Sequence, residues 1–156
     1  MENSITTGKW AELDPESQKL IAKAEEALQN AYAPYSKFRV AAAILLDNDV
    51  VITGTNQENA AYPDGMCAER VALFTKASQY PERYIKKLVV VAKADGAQDL
   101  SPATCCGSCR QVMLEFEQRQ DKPYEVIMQS YDRDWIKAPT VESLLPFSFS
   151  KRNLRK

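Results

Sequence analysis

The run IKKLVVVAK at 85–93 places Leu88, Val89, Val90 and Val91 in unbroken succession. Such a β-branched apolar centre suits a buried strand, and a buried strand needs other elements to cover it. The flanking patterns supply them. Asp14-Pro15 reads as an N-cap followed by a first-turn proline. Leu20, Ala24, Ala27, Leu28 and Ala31 then recur at helical spacing. FRVAAAILL (38–46) and VVITGT (50–55) flank the polar Asp47-Asn48-Asp49 turn, the pattern of a β-hairpin. CAERVALFTKAS (67–78) has helix-forming composition and follows a Pro63-Asp64-Gly65 turn. After a loop rich in Asp, Gly, Ser and Pro (94–104), CGSCRQVMLEFEQR (106–119) reads as a second such helix. YEVIMQS (124–130) is a further predicted strand, and TVESLLPF (140–147) a short helix closed by Pro146. The order α-β-β-α-β-α-β-(β)-α implies a layered α/β domain with a mixed sheet. At 156 residues, without repeats, linkers or low-complexity stretches, the chain is expected to form one domain over 1–156. Its core is expected at about 14–149, with short tails at both ends.

Histidine is absent. That excludes any mechanism needing an imidazole base and any zinc site needing an imidazole ligand. A tetrahedral metal site here must use thiolates, carboxylates and water. No apolar run approaches the roughly 18 residues of a membrane-spanning helix, so no membrane partner is expected. The start, MENSITTGKWAELD, lacks the pattern of a secretory signal. Four cysteines without an export signal suggest a reducing compartment, so a cytoplasmic location is expected. A net charge of −1 offers no electrostatic reason to expect a nucleic-acid partner.

Three of the four cysteines lie in TCCGSCRQ (104–111) and the fourth in DGMCAER. Cys106 and Cys109 make a C-x-x-C pair, while Cys105 has no partner at that spacing. Cys67 and Cys106 each open a predicted helix, where free N–H groups and the positive dipole end favour thiolate. Two helix starts facing one another could offer Cys67, Cys106 and Cys109 to one Zn²⁺, with the fourth position left open, as in catalytic sites. Glu69, two positions from Cys67, could take a proton from the activated water and pass it to a substrate nitrogen. C-x-E followed by C-x-x-C, with the glutamate not a ligand, is the pattern of zinc deaminases. Two other readings stay open on spacing alone. A structural zinc site would use the same ligands but has no task for Glu69. A thioredoxin-like pair needs only C-x-x-C and would tolerate loss of Cys67.

Taken together, AYAPYSKFRVAAAILL, NQENAAYPDGMCAER, CGSCRQV and SLLPFSF resemble the small, homotetrameric, zinc-dependent cytidine deaminases of the all-cysteine ligand type, over roughly 20–149. The resemblance implies a five-stranded mixed sheet with helices on both faces. It implies hydrolytic deamination of cytidine and deoxycytidine in pyrimidine salvage, with activated water adding to C4 of cytosine and ammonia leaving. By position it implies Cys67, Cys106 and Cys109 as ligands to one zinc per chain and Glu69 as the proton shuttle. Asn56 and Glu58 match a pair that grips the ribose hydroxyls, and an amide with a carboxylate suits groups that both donate and accept. Phe38 matches a residue packing on the pyrimidine, and Ala68 a further substrate contact. Tyr62 and Phe149 match aromatics that neighbouring subunits bring to shared active sites. Arg70 matches an arginine on the zinc thiolates, which offsets the excess negative charge of three thiolates on one Zn²⁺. Cys105 stands where the family usually has proline, and so reads as a substitution rather than a ligand. Asn56-x-Glu58-Asn59 argues against a deaminase for a non-ribose substrate such as a nucleoside antibiotic. The charge balance argues against editing of a polynucleotide.

Overall fold

A computed structural model describes residues 4–154. Its centre is the predicted valine run. Strand β4 (Ile85–Ala94) lies between β2 (Phe38–Leu46), antiparallel to it, and β5 (Glu125–Gln129), parallel to it. With Thr6–Gly8 as β1, Val51–Thr55 as β3 and Trp135–Ala138 as β6, the sheet is mixed, in the order β1-β6-β5-β4-β2-β3. Successive side chains leave a strand on opposite faces, so an unbroken apolar run supplies two cores. Val89 and Val91, with Ala41, Ala43, Leu45 and Ile127, pack against Leu20, Ile21 and Ala24 of α1 (Pro15–Ala27). Leu88 and Val90, with Ala42, Ile44 and Val126, pack on the other face. There they meet Ala72 and Leu73 of α2 (Ala68–Gln79) and Met113 and Leu114 of α3 (Gly107–Gln120). Among the described residues no helix is long and apolar enough to cross a membrane.

The start of α1 is set by Asp14, whose carboxylate accepts from Ser17 N at 2.9 Å and from Ser17 Oγ at 2.7 Å. Lys87 Nζ, from β4, donates to the same carboxylate at 2.9 Å. At the far end the pattern that runs to Ala31 tightens into a 3-10 turn, Leu28–Asn30. Arg39 Nη1 donates there to the carbonyls of Gln29 and Ala31 at 3.3 Å. The hairpin joins β2 to β3 (Val51–Thr55). Gly54 of β3 lies directly under α2, with no room for a side chain between the two backbones.

Two expectations are corrected. The sheet has six strands, because Thr6–Gly8 (β1) pairs antiparallel with β6 (Trp135–Ala138) in a segment read as a tail. Three residues without apolar alternation carry no strand pattern, and the ladder and Trp10 packing on Trp135 at 5.7 Å are tertiary. The helix expected at 140–147 is a single 3-10 turn, Val141–Leu144. Pro146 bars helical geometry at Leu145, which sits at φ −138° and ψ 75°. The buried Glu117 carboxylate fixes that turn, accepting from Thr140 Oγ1 at 2.6 Å and Val141 N at 2.8 Å. After it, Lys151–Leu154 forms a short helix, α4.

Candidate active site and metal centre

Cys67 and Cys106 are the residues that cap α2 and α3, both with extended backbone. Each cap follows a loop the sequence marks with turn residues, and α2 and α3 pack on the same face of the sheet, which lets the two helix starts meet. Cys109 lies in the first turn of α3. The sulfurs of Cys67, Cys106 and Cys109 all lie within 4.8 Å of one another. Cys106 Sγ accepts from Cys109 N at 3.5 Å, so the helix start itself supports negative charge on sulfur. Arg70 Nη2 donates to Cys67 Sγ at 3.4 Å, and Arg70 Nε is buried without a partner. The Cys67 thiol is pushed down to about 5 by a hydrogen bond from Cys109, against burial, with Arg70 adding to the effect. Three convergent soft donors, two helix N-termini and an arginine on one sulfur fit one Zn²⁺ and leave a fourth tetrahedral position.

Glu69 is 4 % exposed. Burial raises its proton affinity above that of an ordinary carboxylic acid, and the charge of Cys67 adds to this. Cys105 lies beside it, and burial, with the charge of Glu69 adding to the effect, pushes the Cys105 thiol well above its ordinary range. Cys105 is buried and is not part of the three-sulfur group. Its N–H donates to Met128 Sδ at 3.3 Å and its carbonyl accepts from Arg110 Nε at 2.9 Å.

A cavity of about 760 Å³ opens above these groups. Cys67, Ala68, Glu69, Arg70 and Cys106 line it together with Phe38, Asn56, Glu58 and Tyr62. Cys109 lies behind that surface, fully buried. Asn56 Oδ1 accepts from Val40 N at 2.9 Å and its Nδ2 donates to the Phe38 carbonyl at 3.0 Å, which leaves one N–H and one lone pair. Tyr62 belongs to the wall of its own chain's cavity, edge-on to Tyr35 at 6.0 Å. Phe149 does not line it, and its carbonyl accepts from Gln111 Nε2 at 2.9 Å. Sequence reasoning also missed Ser36 and Tyr131, which border the same cavity. Ser36 stands inside AYAPYSKF (31–38), but nothing along the chain ties it to Glu58, 22 positions away.

A family model for the cytidine and deoxycytidylate deaminase zinc-binding region matches residues 14–122. A cytidine deaminase of Sporosarcina psychrophila is 42% identical over 137 residues, which cover 88% of this chain and 93% of that protein. A cytidine deaminase of Halalkalibacterium halodurans is 40% identical over 88% of this chain and 96% of its own. The crystal structure of a Burkholderia pseudomallei cytidine deaminase superposes with a TM-score of 0.69 at 36% identity, over 88% of this chain and 100% of that one.

Proposed function

Since the chain belongs to the cytidine and deoxycytidylate deaminase family, we propose that it hydrolyses cytidine and deoxycytidine to uridine and deoxyuridine with release of ammonia. The observation that carries this reading is Glu69, a buried carboxylate beside three convergent thiols at a cavity with room for a nucleoside. Zinc held by Cys67, Cys106 and Cys109 would supply Lewis acidity that makes water a nucleophile near neutral pH. Glu69 takes one proton of the attacking water and passes it to N3 of the pyrimidine, where it stays. It then carries the second, from the hydroxyl added at C4, to the amino nitrogen, which leaves as ammonia. Burial suits it to hold a proton between acceptance and delivery. Arg70 keeps its guanidinium on Cys67 and offsets the excess charge of three thiolates. Phe38 and Ala68 bound the base, and Asn56 and Glu58 hold the sugar. Three of the roughly four acceptor sites of the Glu58 carboxylate are already spent within the chain. It therefore engages a single hydroxyl, which supports use of both sugars.

The working form is a homotetramer in which Tyr62 and Phe149 meet sites of neighbouring copies. The exposure of both rings, 78% and 59%, supports that reading. Its place is the pyrimidine salvage of the cytoplasm. Purified, zinc-loaded protein given cytidine or deoxycytidine should release ammonia and the uracil nucleoside in equal amounts. No product from fully loaded protein would end the enzymatic reading. Light scattering at the mass of a single chain from an active sample would end the tetrameric one.

A further inference from the structure

Glu58 does not stand free in the cavity. Its Oε2 accepts from two successive backbone N–H groups, Tyr35 N at 2.9 Å and Ser36 N at 3.2 Å. Its Oε1 accepts from Ser36 Oγ. The Ser36 hydroxyl is itself fixed, because it accepts from Phe38 N at 3.1 Å. The Phe38 carbonyl, 3.4 Å away, competes for its single proton, but the carboxylate is both nearer and charged. Consecutive N–H groups aimed at one oxygen make a backbone seat for an anion. The turn that aims them rests on Lys37, held in the left-handed region at φ 57°. Its N–H closes onto the Ala33 carbonyl at 3.1 Å and its carbonyl accepts from Asp95 N at 2.8 Å. A lysine adopts that backbone at a cost, and here the surrounding bonds enforce it. The turn is also stitched to the segment that carries the carboxylate. Tyr32 N donates to the Asn56 carbonyl at 3.0 Å, and Glu58 N to the Tyr32 carbonyl at 2.9 Å.

We infer that Ser36 is a positioning residue for the sugar half of the substrate: with the Tyr35 and Ser36 N–H groups it locks the Glu58 carboxylate so that one acceptor site on Oε1 is left for a hydroxyl. The inference rests on the nucleoside reading of the site. The Ser36 hydrogen bond also holds Glu58 below the usual carboxylate range, so the acceptor stays ionised. Without the hydroxyl the carboxylate keeps its two N–H bonds but gains freedom to rotate. The substrate then has to bring about the ordering that Ser36 now imposes in advance. None of these hydrogen bonds reaches the thiols or Glu69, so zinc binding and the proton transfers do not depend on them.

The test is steady-state kinetics on zinc-loaded, full-length protein with cytidine, for wild type, Ser36→Ala, Ser36→Thr, Glu58→Ala and the Ser36→Ala/Glu58→Ala pair. Ser36→Ala should raise KM roughly fivefold to tenfold, the size of one lost hydrogen bond, with kcat and zinc content close to wild type. Ser36→Thr keeps the hydroxyl and should restore KM to within about twofold of wild type. The double variant should be no worse than Glu58→Ala, because Ser36 acts through Glu58. An unchanged KM in Ser36→Ala would overturn the inference. So would a Ser36→Ala loss that persists undiminished without Glu58, since that would make Ser36 a direct sugar contact. Wild-type protein that leaves cytidine unchanged would overturn both the nucleoside reading and this inference, whereas normal turnover with an indifferent Ser36→Ala would overturn this one alone.

Discussion

Gly54→Ala is the sharpest way to ask whether the sheet positions the metal centre. A Cβ built on Gly54 would lie 2.4 Å from Ala72 N, 2.6 Å from the Ala68 carbonyl oxygen and 2.9 Å from Ala72 Cα. All three are backbone atoms of α2, so no rotamer change relieves the clash. Ordinary contact needs about 3.5 Å, so α2 has to lift off β3 by roughly 1 Å. Overpacking of this kind costs about 1–3 kcal/mol, and a clash with rigid helix backbone belongs at the upper end. At about 2–4 °C per kcal/mol for a chain of this size, the melting temperature should fall by roughly 6–12 °C. The same shift moves Cys67 and Glu69, which stand on either side of Ala68. Zinc–ligand distances tolerate only about 0.2 Å, so zinc affinity and turnover should fall with stability. Thermal unfolding and zinc content of the purified variant measure both. Gly107→Ala is the control, because nothing lies within 4 Å of its Cβ and its φ is not positive. Alanine in place of glycine at the start of α3 should hold or raise stability by up to about 1 kcal/mol. Gly54→Ala protein that melts within about 2 °C of wild type and keeps its zinc would refute the reasoning.

Glu69→Gln should keep fold and zinc yet lose about 100-fold or more in kcat, because an amide cannot carry the proton; near-normal turnover would remove Glu69 from the mechanism. Cys105→Ala should retain one zinc per chain while Cys106→Ala and Cys109→Ala lose it, read by metal analysis of each purified variant. Cys105→Pro should also retain zinc, but forfeits the N–H bond to Met128 Sδ, so Cys105→Ala is the cleaner probe. Acid should expose the Asp14 cluster. Against the upward push of burial, hydrogen bonds from Lys87 and Ser17 hold Asp14 well below the ordinary carboxylate range. A depressed folded pKa gives stability that is full above the unfolded value near 3.9 and fades as pH falls below it. Asp14→Asn should therefore melt below wild type at neutral pH, with the gap holding down to about pH 4 and shrinking progressively as the pH falls further; a gap independent of pH would place the stabilisation elsewhere.

What was legible in the chain was local. Cys67 and Cys106 could be placed at helix starts because turn residues precede them and helix formers follow, and both do cap helices. The valine run of β4 carried the layered architecture, since its uninterrupted apolarity only makes sense with both faces covered. What was illegible depends on partners distant in sequence. β1 exists because β6 offers an edge, not because Thr6-Thr7-Gly8 favours a strand. Val141, Leu144 and Leu145 fit a helical period, yet Glu117 and Pro146 between them permit only one tight turn. Gly54 sits inside the predicted strand VVITGT with no visible task until α2 is seen to rest on it. Ser36 looks like loop polarity until the Glu58 carboxylate is seen to sit on it.

The most direct measurement is a zinc titration of metal-free protein, following the absorbance of cytidine as zinc is added. With Cys67, Cys106 and Cys109 as a single site beside Glu69, turnover should be absent at the start, rise in proportion to zinc, and level off at one equivalent per chain. Turnover by the metal-free protein, or none at full loading, would contradict a zinc centre that deaminates cytidine.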